Sequence, residues 1–206
     1  VSWAGCAELF RQSLNFSLHS ILLILYVQTN TILLNFMKGE EATGFYIAGF
    51  RFVSALGMVA MSVTGALYPA ISRLDPRNQA EELRAAHLRC TRYLLLLGSL
   101  FSLTLFLCAP ALVRIIYGQA FAAAVPGLRI MAFSVFFSYF NSALSTLLFS
   151  LNREREVLRR LGACVAFVLA INLIFLPSLG YLGASLTTLL PEFLSFALLC
   201  AAAERY

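Results

Sequence analysis

The chain has 206 residues, of which 60% are hydrophobic and only 12% charged. Soluble domains carry about a quarter charged and under half apolar residues, so a water-solvated fold is excluded and lipid must solvate most of this surface. The formal charge of +5 then reads as basic residues gathered in cytoplasmic loops, and no nucleic-acid partner is expected.

The charges are clustered, and the gaps between them measure the crossings. No Asp, Glu, Lys or Arg occurs from Gln12 to Met37, Phe52 to Ser72, Tyr93 to Val113, Ile130 to Asn152, or Leu161 to Pro191. About 20 apolar residues cross about 30 Å of hydrocarbon as a helix, and lipid admits no unpaired backbone. The first four gaps fit one crossing each. The last is long enough for two, with Pro177, Gly180 and Gly183 offering a turn. The expected class is an all-α polytopic membrane protein, residues 1–206 forming a single six-helix lobe. Its spans lie roughly at 14–36, 43–71, 93–109, 130–151, 158–176 and 181–203.

In chain order, the first span is unusually polar, with Asn15, Ser17, His19 and Ser20, then Gln28, Thr29, Asn30 and Thr31. The turn at Lys38–Glu41 is short. The second span starts near Gly44, carries Arg51, and repeats glycine at 49, 57 and 65, which suggests a close-packed stripe. In the connector, Asp75–Pro76 suits a helix start. Asn78 with Glu81 is an alternative capping box, so this segment should extend the third span into the cytoplasm. Pro110 should end that span. Residues 111–129 read as a short interfacial helix and a loop, and residues 152–156 as a charged turn before the fifth span.

With six crossings, both termini and the second and fourth loops share a side. That side holds Arg11, Arg73, Arg77, Arg84, Arg89, Arg92, Arg153, Arg155, Arg159, Arg160 and Arg205; the other holds Lys38, Arg114 and Arg129. The asymmetry places both termini in the cytoplasm. Cys6, Cys90, Cys108, Cys164 and Cys200 form no CxxC pair and read as small packing residues, not as a metal or disulfide framework. The opening Val1, with no signal-like segment after it, suggests a chain that continues upstream.

No serine-hydrolase elbow, phosphate loop or HExxH helix is present, and the two histidines, His19 and His87, have no evident carboxylate partner. An enzyme, a metal and a cofactor are therefore not expected. The residues that could act are polar groups inside spans. A charge at mid-membrane costs about 2.5 kcal/mol or more, so it faces a cavity or a partner. Arg51 meets an anionic headgroup in a cleft, or snorkels outward from about 10 Å inside a helix begun at Gly44. Glu192 is a proton or cation site, or a hydrogen-bonded packing residue beside Pro191; an Arg51–Glu192 pair fits the pattern without being required by it. Gln28 and Asn30 either line a cavity or bond neighbouring helices. Asn141 and Asn172 read as packing contacts.

Three stretches carry a resemblance: GFYIAGFRFVSALGMVAMSVTGALYPAISRL, then ALVRIIYGQAFAAAVPGLRIMAF, then LNREREVLRRLGACVAFVLAINLIFLPSLGYLGASLTTLLPEF. In order and spacing they resemble the polysaccharide biosynthesis flippases of the multidrug/oligosaccharidyl-lipid/polysaccharide exporter superfamily, over their C-terminal lobe. The resemblance implies two six-helix lobes facing across a cavity, in a bacterial inner membrane. It implies that undecaprenyl-pyrophosphate-linked glycan is moved by alternating access, with the N-terminal lobe and membrane lipid as partners. Arg51 matches an arginine common in that second-span motif. Asn30 departs from it, since many relatives carry an aspartate there, which removes the carboxylate that cation coupling in the first span would use. The rival readings are a drug/cation antiporter or a lipid II flippase of the same superfamily, and a non-transporting scaffold of polysaccharide assembly.

Overall fold

The structure, a computed structural model, describes residues 3–71, 73, 78–150 and 153–203. Its helices are α1 (Trp3–Ile71), α2 (Ala80–Tyr117), α3 (Ala124–Ser150), α4 (Glu154–Leu179) and α5 (Tyr181–Ala203), with one 3₁₀ turn, Gln119–Phe121. The all-helical class holds among the described residues.

The count of six is not matched, since five helices are long and apolar enough to cross a membrane. The difference lies in α1. A straight helix of 69 residues would be about 104 Å long, far more than a bilayer. Its backbone leaves the helical region at one residue, Gly39, with φ 80° and ψ −173°, a conformation open essentially to glycine alone. There the chain doubles back. Asn30 Nδ2 lies 3.4 Å from the Tyr46 hydroxyl, whereas 16 residues of straight helix would hold their Cα atoms about 24 Å apart. Thus α1 is a hairpin with a first limb (residues 3–38) and a second limb (residues 40–71). Two bonds hold its tip: Thr43 Oγ1 donates to Gly39 O at 2.8 Å, and Lys38 Nζ donates to Pro177 O at 2.7 Å.

Pro110 does not end α2. The helix runs on to Tyr117 and stops at Gly118, whose N–H bonds Arg114 O at 3.1 Å. Proline removes one backbone bond, but packing by neighbouring helices lets a membrane helix continue past it. The interfacial segment expected over 111–129 shrinks to the turn 118–123. The α2 N-cap is Gln79, without a side-chain cap bond, so the box on Asn78 is not used; Asp75–Pro76 lie outside the described residues. At 38 residues, about 57 Å, α2 carries its charged first turns beyond the hydrocarbon, as the extended connector implies.

The central element is α3, apolar around its whole circumference and packed on α1, α2 and α5, as an all-round apolar helix must be. Tyr139 is fully buried. Its hydroxyl donates to Leu56 O at 2.8 Å, and its ring lies where Gly98 leaves room on α2. A second core joins Leu34, Tyr46, Met131, Leu176 and Ala184. The chain turns between α4 and α5 at Gly180, whose N–H bonds Leu176 O at 3.0 Å. Gly183 then brings α5 against α4, for an added Cβ would lie 2.5 Å from the Phe175 carbonyl oxygen.

The glycine stripe on the second limb does not form. Gly49 packs against Leu128 and Met131, while nothing lies within 4 Å of a Cβ built on Gly57 or Gly65. Eight residues make about 2.2 turns, so each step rotates about 80° and the three glycines spiral off a common seam.

Candidate functional site

The α1 hairpin carries an open groove of about 620 Å³, lined by Thr31, Ile32, Asn35 and Phe36 from the first limb and Glu40, Thr43, Gly44 and Ile47 from the second. Helical spacing explains the lining: 28, 31, 32 and 35 share one face of the first limb, and 40, 44, 47 and 51 share one face of the second. Gln28 and Arg51 continue these faces one turn deeper, and both are exposed. Counted from Gly39 at about 1.5 Å per residue, Gln28 lies about 16 Å and Arg51 about 18 Å from the tip. The two are at matching depth on the two limbs, near the middle of a 30 Å layer. Arg51 lies about 10 Å along the helix from Gly44 and about 16 Å from Glu40, where the second limb begins.

Asn30 does not line the groove. It is 4% exposed, turned into the bundle and held by several groups. Its Nδ2 lies 3.0 Å from Thr188 Oγ1 and 3.4 Å from Ala184 O and the Tyr46 hydroxyl. Its Oδ1 accepts from Asn172 Nδ2 at 2.7 Å. Asn172 Oδ1 in turn accepts from Thr187 Oγ1 at 2.8 Å, and Tyr46 and Thr188 share a bond at 3.0 Å. Both limbs of α1, α4 and α5 thus meet on one buried amide pair. Unpaired, each of these groups would cost about 1–3 kcal/mol, so the network sets how the four segments sit together.

Glu192 is half-buried and bonded to a different set. The Tyr26 hydroxyl donates to Oε1 at 2.9 Å. Asn141 Nδ2 donates to Oε2 at 2.8 Å and to the Glu192 carbonyl at 3.0 Å. One turn away, Arg160 Nη1 donates to Ser195 Oγ at 2.8 Å, and Cys164 Sγ contacts Pro191 O at 3.8 Å. No Arg51–Glu192 pair forms among the described residues.

The four candidate residues therefore separate into two pairs: Gln28 and Arg51 are exposed, while buried Asn30 and half-buried Glu192 are each hydrogen-bonded to other helices. Tyr26, Tyr46, Arg160, Thr187 and Thr188 were missed as participants. The signal for the tyrosines was a hydroxyl in an apolar run, which needs a partner once buried. Arg160 had been assigned to a cytoplasmic loop, but it reaches α5 from the seventh residue of α4. No group of three or more metal-ligating His, Cys, Asp or Glu side chains occurs among the described residues. Cys90, Cys108, Cys164 and Cys200 form no disulfide.

Residues 2–75, a range that contains the α1 hairpin, match the family described as polysaccharide biosynthesis protein. The stage V sporulation protein B of Bacillus subtilis is 30% identical over 148 residues, 71% of this chain and 28% of that protein. Over residues 2–75 the chain is similar to the polysaccharide biosynthesis proteins. An uncharacterized membrane protein of Methanocaldococcus jannaschii is 24% identical over 164 residues, 79% of this chain and 32% of the relative. The chain thus spans about a third of the length of the curated relatives it matches. Two solved structures share its fold, each with a TM-score of 0.79 at 18% identity, covering 94% of this chain and 44% of theirs. One is a MOP superfamily transporter from Pyrococcus furiosus, described as having a binding pocket of reverse polarity that suggests a different function. The other is a multidrug resistance MATE family transporter of the MOP superfamily in an outward-facing conformation.

Proposed function

We propose that this chain is the C-terminal lobe of a flippase that carries undecaprenyl-pyrophosphate-linked oligosaccharide or polysaccharide units to the outer leaflet of a bacterial inner membrane, with the α1 groove as one wall of the path. The observation that carries the reading is the groove. Thr31, Asn35, Glu40 and Thr43 line it, Gln28 and Arg51 stand one turn deeper, and none of these groups gains by facing lipid. A second lobe, with water between the two, removes that cost, and transporters built from repeats place their sites between halves. The guanidinium of Arg51 presents a planar fork that fits paired phosphate oxygens. Read as two crossings, the limbs of α1 make six with α2–α5, so both termini share a side, and the arginine excess on that side supports the cytoplasm. The partners are the substrate, lipid and an N-terminal six-helix lobe; the reading needs no cofactor, metal or catalysis.

The test is transfer of a fluorescent lipid-linked oligosaccharide between leaflets of liposomes holding the full-length gene product. Transfer that depends on Arg51 supports the proposal. Ion-driven export of cationic drugs without glycan transfer would replace it with the drug/cation antiporter reading, which the likeness to a MATE family fold favours.

A further inference from the structure

Glu192 lies 11 residues into α5, about 16 Å from Tyr181, so its carboxyl sits near the middle of the bilayer, where an ionisable group demands a purpose or a partner. Its surroundings are complete for one protonation state. Tyr26 and Asn141 each donate to one carboxylate oxygen, at 2.9 and 2.8 Å. Asn141 is 5% exposed, yet its Oδ1, on the same amide, is buried without a donor. Buried polar atoms rarely go unpaired, and this one lies beside the carboxyl.

A side-chain amide has a donor and an acceptor that trade places on a half-turn. As it stands, Asn141 offers N–H to a carboxylate. Turned over, it offers its oxygen to a carboxyl O–H. We infer that Glu192 and Asn141 form a proton-binding site inside the lobe, beyond the transport path of the groove. One proton from water adds to Oε2 of Glu192, the Asn141 amide rotates, and its oxygen accepts the new O–H. In exchange the amide gives up its N–H bonds to Oε2 and to the Glu192 carbonyl, and no other bond is made or broken. A proton fits better than a metal ion, because Tyr26 and Asn141 already occupy the positions a metal would need. The fixed positive charge of Arg160, one turn away on Ser195, also opposes a second cation.

The groups facing Glu192 are Tyr26 from α1, Asn141 from α3, and Arg160 and Cys164 from α4, so each helix that touches α5 here would sense its charge. Protonation weakens the charge-assisted bonds that tie α5 to the first limb of α1 and to α3. It thereby gives the lobe a proton-dependent stiffness.

The test is infrared difference spectroscopy between neutral and mildly acidic buffer on the full-length gene product in lipid bilayers. The wild type is expected to gain a protonated-carboxyl C=O band on acidification. Glu192→Gln, close in size and neutral, should lose that band. Asn141→Leu should keep it but move it to higher frequency, because the O–H loses its acceptor. An acid-induced band unchanged in both variants would overturn the inference. So would a response of the carboxylate bands to sodium at fixed pH, lost in Glu192→Gln and without any protonated band, which would make this a metal-cation site. Should Glu192→Gln fail to fold, the Asn141→Leu band decides alone: an unshifted band overturns the site.

Discussion

Two polar regions of this molecule are built from the same residue types and lie within a turn of each other on α1, but they face opposite ways. Gln28, on the first limb, is exposed beside the groove, while Asn30, two residues on, is 4% exposed and bonded to α4, α5 and the second limb. Two residues rotate about 200° around a helix, and that rotation separates a group free to meet a ligand from one committed to the fold. A polar residue in a membrane helix is thus read by its face, and proximity in sequence says little.

The comparison can be broken by substitution. The largest effect is expected at Arg51. Arg51→Ala in the full-length protein should lower glycan export about ten- to hundred-fold, the worth of one or two charge-assisted hydrogen bonds, with membrane abundance near wild type. Arg51→Lys should keep part of the activity, since it holds the charge and loses the fork. Export and abundance measured together check both. Next is Asn30→Leu, which strands Asn172, Thr188 and Tyr46. It should destabilise the lobe by about 1–3 kcal/mol, seen as a lower thermal midpoint in detergent and lower abundance, with any loss of export following abundance. Normal abundance with lost export would move Asn30 to the functional side of the comparison.

Smaller effects sharpen the account of the scaffold. Gly183→Ala forces a Cβ onto the Phe175 carbonyl and should cost about 1–3 kcal/mol. Gly57→Ala meets open space within this lobe and should be neutral, or stabilise by up to about 1 kcal/mol through helix propensity. Equal losses at both positions in thermal unfolding would mean that Gly57 packs against a second lobe.

Much of the fold was legible because charge spacing and bilayer thickness constrain each other. The α4–α5 turn at Gly180 and the extension of α2 beyond its apolar run both follow from that arithmetic. Pro110 misled because local rules for proline assume water, and in lipid neighbouring helices keep the helix whole. The hairpin in α1 was legible from length, but its tip, a single glycine without a loop, was not, since Lys38-Gly39-Glu40-Glu41 reads as a turn of several residues. The site was only half legible. Residue type marked Gln28, Asn30, Arg51 and Glu192, but which pair lies in the open depends on how four segments rotate about their axes, and that is set by distant partners such as Thr188 and Asn141.

The most direct test of the division is accessibility. Single cysteines at 28, 30, 51 and 192 in a cysteine-free, full-length protein would be challenged with a membrane-impermeant thiol reagent, with and without lipid-linked glycan. The account predicts labelling at 28 and 51 that the glycan suppresses, and no labelling at 30 or 192. Unlabelled 28 and 51, or labelled and glycan-protected 30 and 192, would contradict it.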